Sequence, residues 1–502
     1  MKSIRYVVTV LILLTSTVSS FSQSDQERAF LNVFHSISSH DIRDYVAGLS
    51  SDKYKGRLTG TPEYMDAAQW VADNLKAWGV KPGGDNGTYF QMFDKPYVDV
   101  TDCGLLSIFL EDKSGVRIEK RYAFPDDYFP GTNSATGSVT AEIVFVGYGI
   151  TAPDLNFDDY AKVDVRGKIV MIIPEMPFSG PDDEKVKWVP YSLHQHKLDN
   201  AAKHGAAGVI YVNPIANPNT SYNEGLVYCH VNDGVARDIF FGTGKTYAAV
   251  KEKIQKSLKP ASFAIGKTAS ITTSGVYHPE GRGCNVIGLI EGTDPVLKNE
   301  VIIVGGHLDG VGYLGEVLPG ALDNGSGVAD ILAAAKALAA SPVPLKRTVM
   351  FLFIGGEECN LLGSRHYTKE PKFPKEKTVG FFNIDMAGTG SGLSVGGAAS
   401  YPNILKCFEE ANSRYIHRPF RASKERGPGV TRPRSDSVIF KRAGFRTLGF
   451  GTFYQEGEKR IRTYYHHPLD NLDTISPEIM EDVAKLIFVG LTSMANADVL
   501  ID

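Results

Sequence analysis

Between residues 301 and 358 the chain carries metal-ligand side chains at places where ligands are usually set. His307 and Asp309 follow one apolar run (301–306), Asp323 precedes a helical pattern, and Glu357 and Glu358 follow a second apolar run (348–356). Asp385 comes after a third run, 379–384, and His466 lies in YYHHPLDNLD, 464–473. His307, Asp323, Glu358, Asp385 and His466 make a set of nitrogen and oxygen donors without a thiolate. Imidazole with carboxylate suits zinc and related divalent ions, whereas an all-oxygen set suits calcium or magnesium. Two imidazoles and three carboxylates exceed what one catalytic ion needs. If Asp323 is shared, each of two ions has three protein ligands and an open position. Ions about 3.5–4 Å apart can bind both a nucleophile and a substrate oxygen.

The elements that must position these donors are legible around them. VIIVGG (301–306) and TVMFLFIGG (348–356) are β-branched or aromatic and free of charge, as expected of strands buried on both faces. In open α/β sheets, ligands collect beyond the carboxyl ends of the strands. Taken singly, each donor has a plainer role. His307 or His466 alone would be a core or surface histidine. Asp323 alone would cap the helix carrying Val328, Ile331, Leu332, Ala335 and Leu338, and Glu357 with Glu358 would be a solvated helix start. Their joint placement at successive strand ends favours a site.

The rest of the chain sets bounds. At 502 residues, 43% hydrophobic and 22% charged, the composition is ordinary for a globular protein of two or three domains. A formal net charge of -4 offers no basic surplus for nucleic acid and comes with no acidic tail. Lys2 and Arg5 precede an apolar segment, 6–14, and small polar residues lead to Ser22, which reads as a signal peptide over 1–22. That segment is short for a spanning helix of roughly 20 residues. The mature protein is therefore expected to be exported, periplasmic or extracellular, with no membrane span. Cys103, Cys229, Cys284, Cys359 and Cys407 are scattered, which argues against a disulfide scaffold and a Cys-x-x-Cys zinc site. Buried thiols are expected, with one disulfide left open.

Helical spacing over 65–78 puts Ala68, Val71, Ala72 and Leu75 on one face, and Gly79 closes it. The texture changes over 129–274, where short strands (141–149, 167–174, 208–212) and a helix at 198–204 alternate. DDYAKVDVRGKIV (158–170) and LDNAAKHGAAGVIYV (198–212) resemble a protease-associated domain, a small β-rich module often inserted in exported or vacuolar hydrolases. Its histidines His194, His196, His204 and His230 read as surface or locally bonded groups rather than a metal site. The α/β texture resumes at CNVIGLIEG, 284–292. The expected division is a signal peptide (1–22), a discontinuous α/β domain (23–128 and 275–502) and a β-rich insert (129–274).

The ordered motifs GGHLDG, PGALDNGSG, GGEECNLLGS, NIDMAG, RSDSVIFKRAGF and YHHPLDNLDTI, with the upstream GRLTGTPEY, resemble the family-28 metallopeptidases, co-catalytic zinc exopeptidases. The resemblance covers almost all of the mature chain. It implies a mixed central sheet flanked by helices, two Zn2+ per chain and a peptide substrate, and it sets no oligomeric state. His307 and Asp385 would bind one zinc, Glu358 and His466 the other, and Asp323 would bridge. Glu357 would be the general base on a shared water, and Asp309 and Asp470 would orient the two imidazoles. His466 is the better ligand of the adjacent pair, because relatives place a small hydroxyl residue at position 467.

The resemblance also leaves gaps. Many relatives supply an oxyanion-binding tyrosine from the loop before the Ser-Asp motif, yet GPGVTRPRSDS (427–437) has none. Arg432, Arg434, Tyr454 or Tyr464 could donate instead, the arginines alternatively serving as surface ion-pair partners. An aminopeptidase is the leading expectation. A carboxypeptidase of the same family, a glutaminyl cyclase-like acyltransferase with one metal, and a non-catalytic relative are the alternatives.

Overall fold

The computed structural model describes residues 23–111, 114–218, 221–425 and 434–501. The expected signal peptide 1–22 and Arg432 lie outside the described residues. The strand Val301–His307 has Thr348–Ile354 on one side and Thr378–Ile384 on the other, all parallel. The chain runs from the first of these through the helix Gly327–Ala340 to the second, then crosses to the opposite side for the third. Strand order thus reverses at Val301–His307, and such a reversal opens a crevice at the carboxyl ends. All residues of the three strands are buried, which accounts for their unbroken apolar runs.

Further out, Arg282–Ile290 pairs antiparallel with Thr348–Ile354, Thr447–Phe453 pairs parallel with Thr378–Ile384, and Gly392–Gly396 pairs antiparallel with Thr447–Phe453, so the sheet is mixed. Alternate residues serve opposite faces. Ile302 and Val304 pack with the helices Ser39–Leu49, Gly327–Ala340 and Pro477–Asn496, whereas Val301 and Ile303 pack with Tyr367, Phe440 and Phe445. Fully burying each such side chain is worth about 1.5–3 kcal/mol. The helix expected at 65–78 spans Pro62–Ala77, capped by the Thr61 hydroxyl.

A second, eight-stranded sheet contains the parallel strands Gly137–Phe145, Ile169–Ile172, Gly208–Tyr211 and Val227–Val231. It also takes in Leu105–Glu111 and Arg117–Arg121, through pairing with Phe263–Thr273. That sheet therefore begins at Leu105, whereas the insert was expected to begin at 129. The partner strand that decides this lies more than 150 residues away, so no local signal marks it. The ribbon Tyr97–Val100 against Gly275–His278 forms the neck between the sheets.

In the insert His204 stacks on Tyr160 and bonds Thr151 (3.1 Å), and His194 and His230 are buried together, ring centroids 4.8 Å apart. Among the described residues no three-donor cluster includes them. The insert meets the larger domain through Val98, Val100, Phe129, Ala216, Val311, Leu314 and Leu318, a core shared by the two. All five cysteines are free, four of them buried. Among the described residues no helix is long and apolar enough to cross a membrane.

Candidate metal centre

His307 is the last residue of the central strand, behind two glycines that the packing requires. A Cβ on Gly305 would stand 2.4 Å from the Leu352 carbonyl, and one on Gly306 would stand 2.3 Å from the Ile384 carbonyl. Only bare backbone lets the flanking strands close on the strand end. Glu357 and Glu358 follow Thr348–Ile354, Asp385 follows Thr378–Ile384, Asp323 sits in the irregular turn Ala321–Ser326, and His466 comes from the long loop after Thr447–Phe453. The structure brings all six together. Donor atoms of His307, Asp323 and Asp385 lie within 4.8 Å of one another, as do those of Asp323, Glu358 and His466. His307 Nε2 is 3.2 Å from Asp323 Oδ1 and 3.6 Å from Asp385 Oδ1, while His466 Nε2 is 2.9 Å from Glu358 and 3.5 Å from Asp323 Oδ2. Asp323 thus offers one oxygen to each triad. Glu357 is half-buried beside them, its donor atom within 4.8 Å of those of His307 and Glu358.

Asn324, and not Asp323, meets the helix start. Its Nδ2 donates to the His307 and Ile384 carbonyls (3.3 and 2.9 Å), and its Oδ1 accepts from the Gly327 and Met386 amides (3.1 Å each). One side chain thereby ties two strand ends to the helix.

The expected roles of Asp309 and Asp470 need correction. Asp309 Oδ1 lies 3.7 Å from His307 Nδ1, too far for a hydrogen bond, and its carboxylate instead accepts the Glu357 and Glu358 amides (3.1 and 3.3 Å). The Asp309 backbone carbonyl is what accepts from His307 Nδ1 (3.0 Å). Asp470 likewise accepts the Leu322 and Asp323 amides (3.0 and 3.1 Å), so it places the shared carboxylate and not His466. Both acids sit beside unpaired turn amides, which are good partners for a carboxylate. His466 Nδ1 donates to the backbone carbonyl of Ala216 in the insert.

Arg57, which sequence reasoning passed over within its loop motif, is fully buried behind the site. Its guanidinium donates to the carbonyls of Leu49, Leu308, Pro319 and Gly320 at 2.7–2.9 Å. It staples the loop bearing Asp309 to the turn bearing Asp323.

The electrostatics fit a bound cation. Carbonyls only accept, so each imidazole carries a proton on Nδ1, and Nε2 faces the carboxylates. Burial lowers the basicity of both rings, yet the neighbouring acids outweigh it. Asp323 and Asp385 hold the His307 pKa well up, and Glu358 and Asp323 hold that of His466 near about 10. Burial opposes ionisation of Asp323 too, but the two histidines win and hold its pKa low. The Glu357 carboxyl is pushed well up, by burial first and by Glu358 in support, against the pull of His307. Asp323 Oδ2 is buried with no hydrogen-bond donor, an atom in want of a positive partner.

A cleft of about 210 Å³ opens over these groups, walled by Glu357, Glu358 and Tyr465 on one side and by Asn213, Ile215 and Asn217 of the insert on the other. Tyr465, 45% exposed overall, stacks on His466 (3.8 Å), and desolvation first, then the nearby carboxylates, raises the pKa of its hydroxyl. Tyr464 packs on His467 with Arg462 over its ring, and Tyr454 accepts the Ile461 amide. The residue adjacent to the one singled out from sequence is therefore the tyrosine at the cleft, and a loop offers no periodicity by which to tell them apart. Arg434 also lines the cleft, where it pairs with Glu175 of the insert (3.3 Å) as an exposed ion pair. His467 turns away and packs against Phe129.

Comparison with known proteins agrees with this geometry. The model of peptidase family M28 matches residues 285–490, and that of the PA domain matches 139–239. Aminopeptidase YwaD of Bacillus subtilis is 31% identical over 371 residues, covering 70% of this chain and 68% of its own. Two solved structures share the fold. A peptidase M28 precursor from Shewanella amazonensis has a TM-score of 0.62 at 19% identity, covering 96% of this chain and 99% of its own. BSAP, a zinc aminopeptidase from Bacillus subtilis, has a TM-score of 0.57 at 22% identity, covering 91% and 94%. With its donors gathered in one cleft and a relative this similar across two thirds of both chains, the protein belongs to peptidase family M28 and carries an inserted PA domain.

Proposed function

We propose that the protein is an exported zinc-dependent aminopeptidase with two ions per chain. The observation that carries the reading is the pair of donor triads sharing Asp323. His307 and Asp385 would hold one ion, Glu358 and His466 the other, with Asp323 between them. Zinc is supported by the imidazole and carboxylate donor set and by the description of BSAP as a zinc aminopeptidase. Bound there, the ions would supply Lewis acidity toward a peptide carbonyl and lower the pKa of water.

The chain's own groups would do the rest. Glu357, whose donor atom lies within 4.8 Å of those of His307 and Glu358, takes a proton from the attacking water and returns it to the leaving amine. The Tyr465 hydroxyl, kept protonated, donates toward the oxygen on which charge develops. Asn213, Ile215 and Asn217 of the insert would flank the bound peptide from the other side of the cleft. Export is supported by the charged and apolar pattern of residues 1–22, and a mature N-terminus at Gln23 would test it.

The deciding experiment offers the zinc-loaded protein a panel of peptides, free and N-blocked, and identifies products by mass. Stepwise loss of N-terminal residues, abolished by N-blocking, is expected. Release from the carboxyl end would sink the aminopeptidase reading, and cyclised N-terminal glutamine as the only product would point to the acyltransferase.

A further inference from the structure

The two imidazoles at the centre are oriented from different places. His307 is held by the carbonyl of Asp309, two residues along its own loop. His466 is held by the carbonyl of Ala216, 250 residues earlier, in the PA insert after the strand Gly208–Tyr211.

That carbonyl is built into position. Ala216 is fully buried, with its methyl in the core shared by Val98, Phe129, Val311 and Leu318. The next carbonyl, of Asn217, accepts from the Thr132 hydroxyl (3.0 Å), and Pro214 and Pro218 restrict the backbone on either side. On the opposite side His466 adopts a left-handed backbone (φ 54°), its ring is covered by Tyr465, and its neighbour His467 packs edge-on against Phe129 of the insert. The insert thus grips the two-histidine segment at the imidazole nitrogen and at the adjacent ring.

We infer that the PA domain is a working part of the metal centre, in which the Ala216 carbonyl is a positioning group that locks His466 in the tautomer presenting Nε2 to the ion shared by Asp323 and Glu358. The inference rests on the zinc reading above. Its reason is the donor inventory of a neutral imidazole. One nitrogen carries the proton and the other the lone pair, and an acceptor-only partner at Nδ1 decides which. His307, which with Asp385 would hold the other ion, has its imidazole oriented by the Asp309 carbonyl within the peptidase domain, so that site would not depend on the insert. Linkage then runs both ways, since whatever docking adds to the affinity for one ion, that ion adds to docking.

The test uses the full chain and measures zinc bound per chain against a buffered free-zinc series, alongside thermal unfolding in chelator. Two substitutions perturb the carbonyl. Ala216→Val crowds the shared core and displaces the loop. Replacing Asn217 by its α-hydroxy acid analogue turns the Ala216–Asn217 amide into an ester, a weaker acceptor, with every side chain kept. We expect two ions in the wild type, and in both variants one ion weakened about 10–100-fold with the other unchanged and the ester variant unfolding near the wild-type temperature. Two ions bound at wild-type affinity in the ester variant, or both weakened alike, would overturn the inference. Failure of the wild type to bind two ions would instead sink the di-zinc reading on which it stands.

Discussion

At the scale of single residues, the two neighbouring glutamates stand in different surroundings. Glu358 lies 2.9 Å from His466, whereas Glu357 stands half-buried beside the triads with a raised pKa. Glu357→Gln is expected to bind zinc as the wild type does and to lose about 10²–10⁴-fold in kcat. Retained turnover would remove Glu357 as the base. Tyr465→Phe deletes only a hydroxyl, so kcat is expected to fall roughly 10²-fold with KM little changed. An equal effect from Tyr464→Phe would show that the hydroxyl at the cleft has no special part. The donors that sequence spacing singled out lie together in the fold. Sequence reasoning misjudged Asp309 and Asp470, because whether a carboxylate or its backbone carbonyl reaches a ring nitrogen depends on how the loop turns, and residue type does not encode that turn.

At the scale of elements, the three apolar runs emerged as the buried parallel strands their composition implies, each ending at a donor. Their order across the sheet was not legible, since equally apolar strands carry no mark of which neighbour they take. Asn324 makes that order usable by joining the ends of two strands to the helix Gly327–Ala340. Asn324→Ala removes a hydrogen-bond partner from two carbonyls and two amides and is expected to cost on the order of 3 kcal/mol. It should also weaken zinc binding, since it frees His307 and Asp323 together. Full stability by denaturant titration, with unaltered zinc affinity, would contradict that account.

For the whole molecule, the insert is joined by a two-stranded neck, a shared apolar core and a hydrogen bond to the candidate ligand His466. Within the insert, Asp159 accepts the Tyr148 and Ile150 amides at Oδ2 (3.0 and 3.1 Å), while Oδ1 is buried without a hydrogen bond. Burial pushes its pKa up to about 8, against those amides and Lys197. An unfolded aspartate releases its proton near about pH 3.9. Across the window between these values the folded state holds a proton that the unfolded chain has lost, so stability falls as pH rises and levels off above about 8. Asp159→Asn removes this contribution. The unfolding midpoint of the variant minus that of the wild type, both zinc-saturated, should climb between about pH 5 and about pH 8. A flat difference would mean that Asp159 is already ionised in the fold.

The sequence by itself determined the donor types, the strands that end on them, the family and the presence of an insert, because these depend on local composition, spacing and ordered motifs. Tertiary structure alone decided three things. It drew the strands 105–111 and 117–121 into the insert's sheet, it put Tyr465 and not Tyr464 in the wall of the cleft, and it brought the Ala216 carbonyl to His466. Each is a contact between distant segments or the outcome of a loop's path. A backbone carbonyl has no residue type at all, so no reading of side chains could have found it.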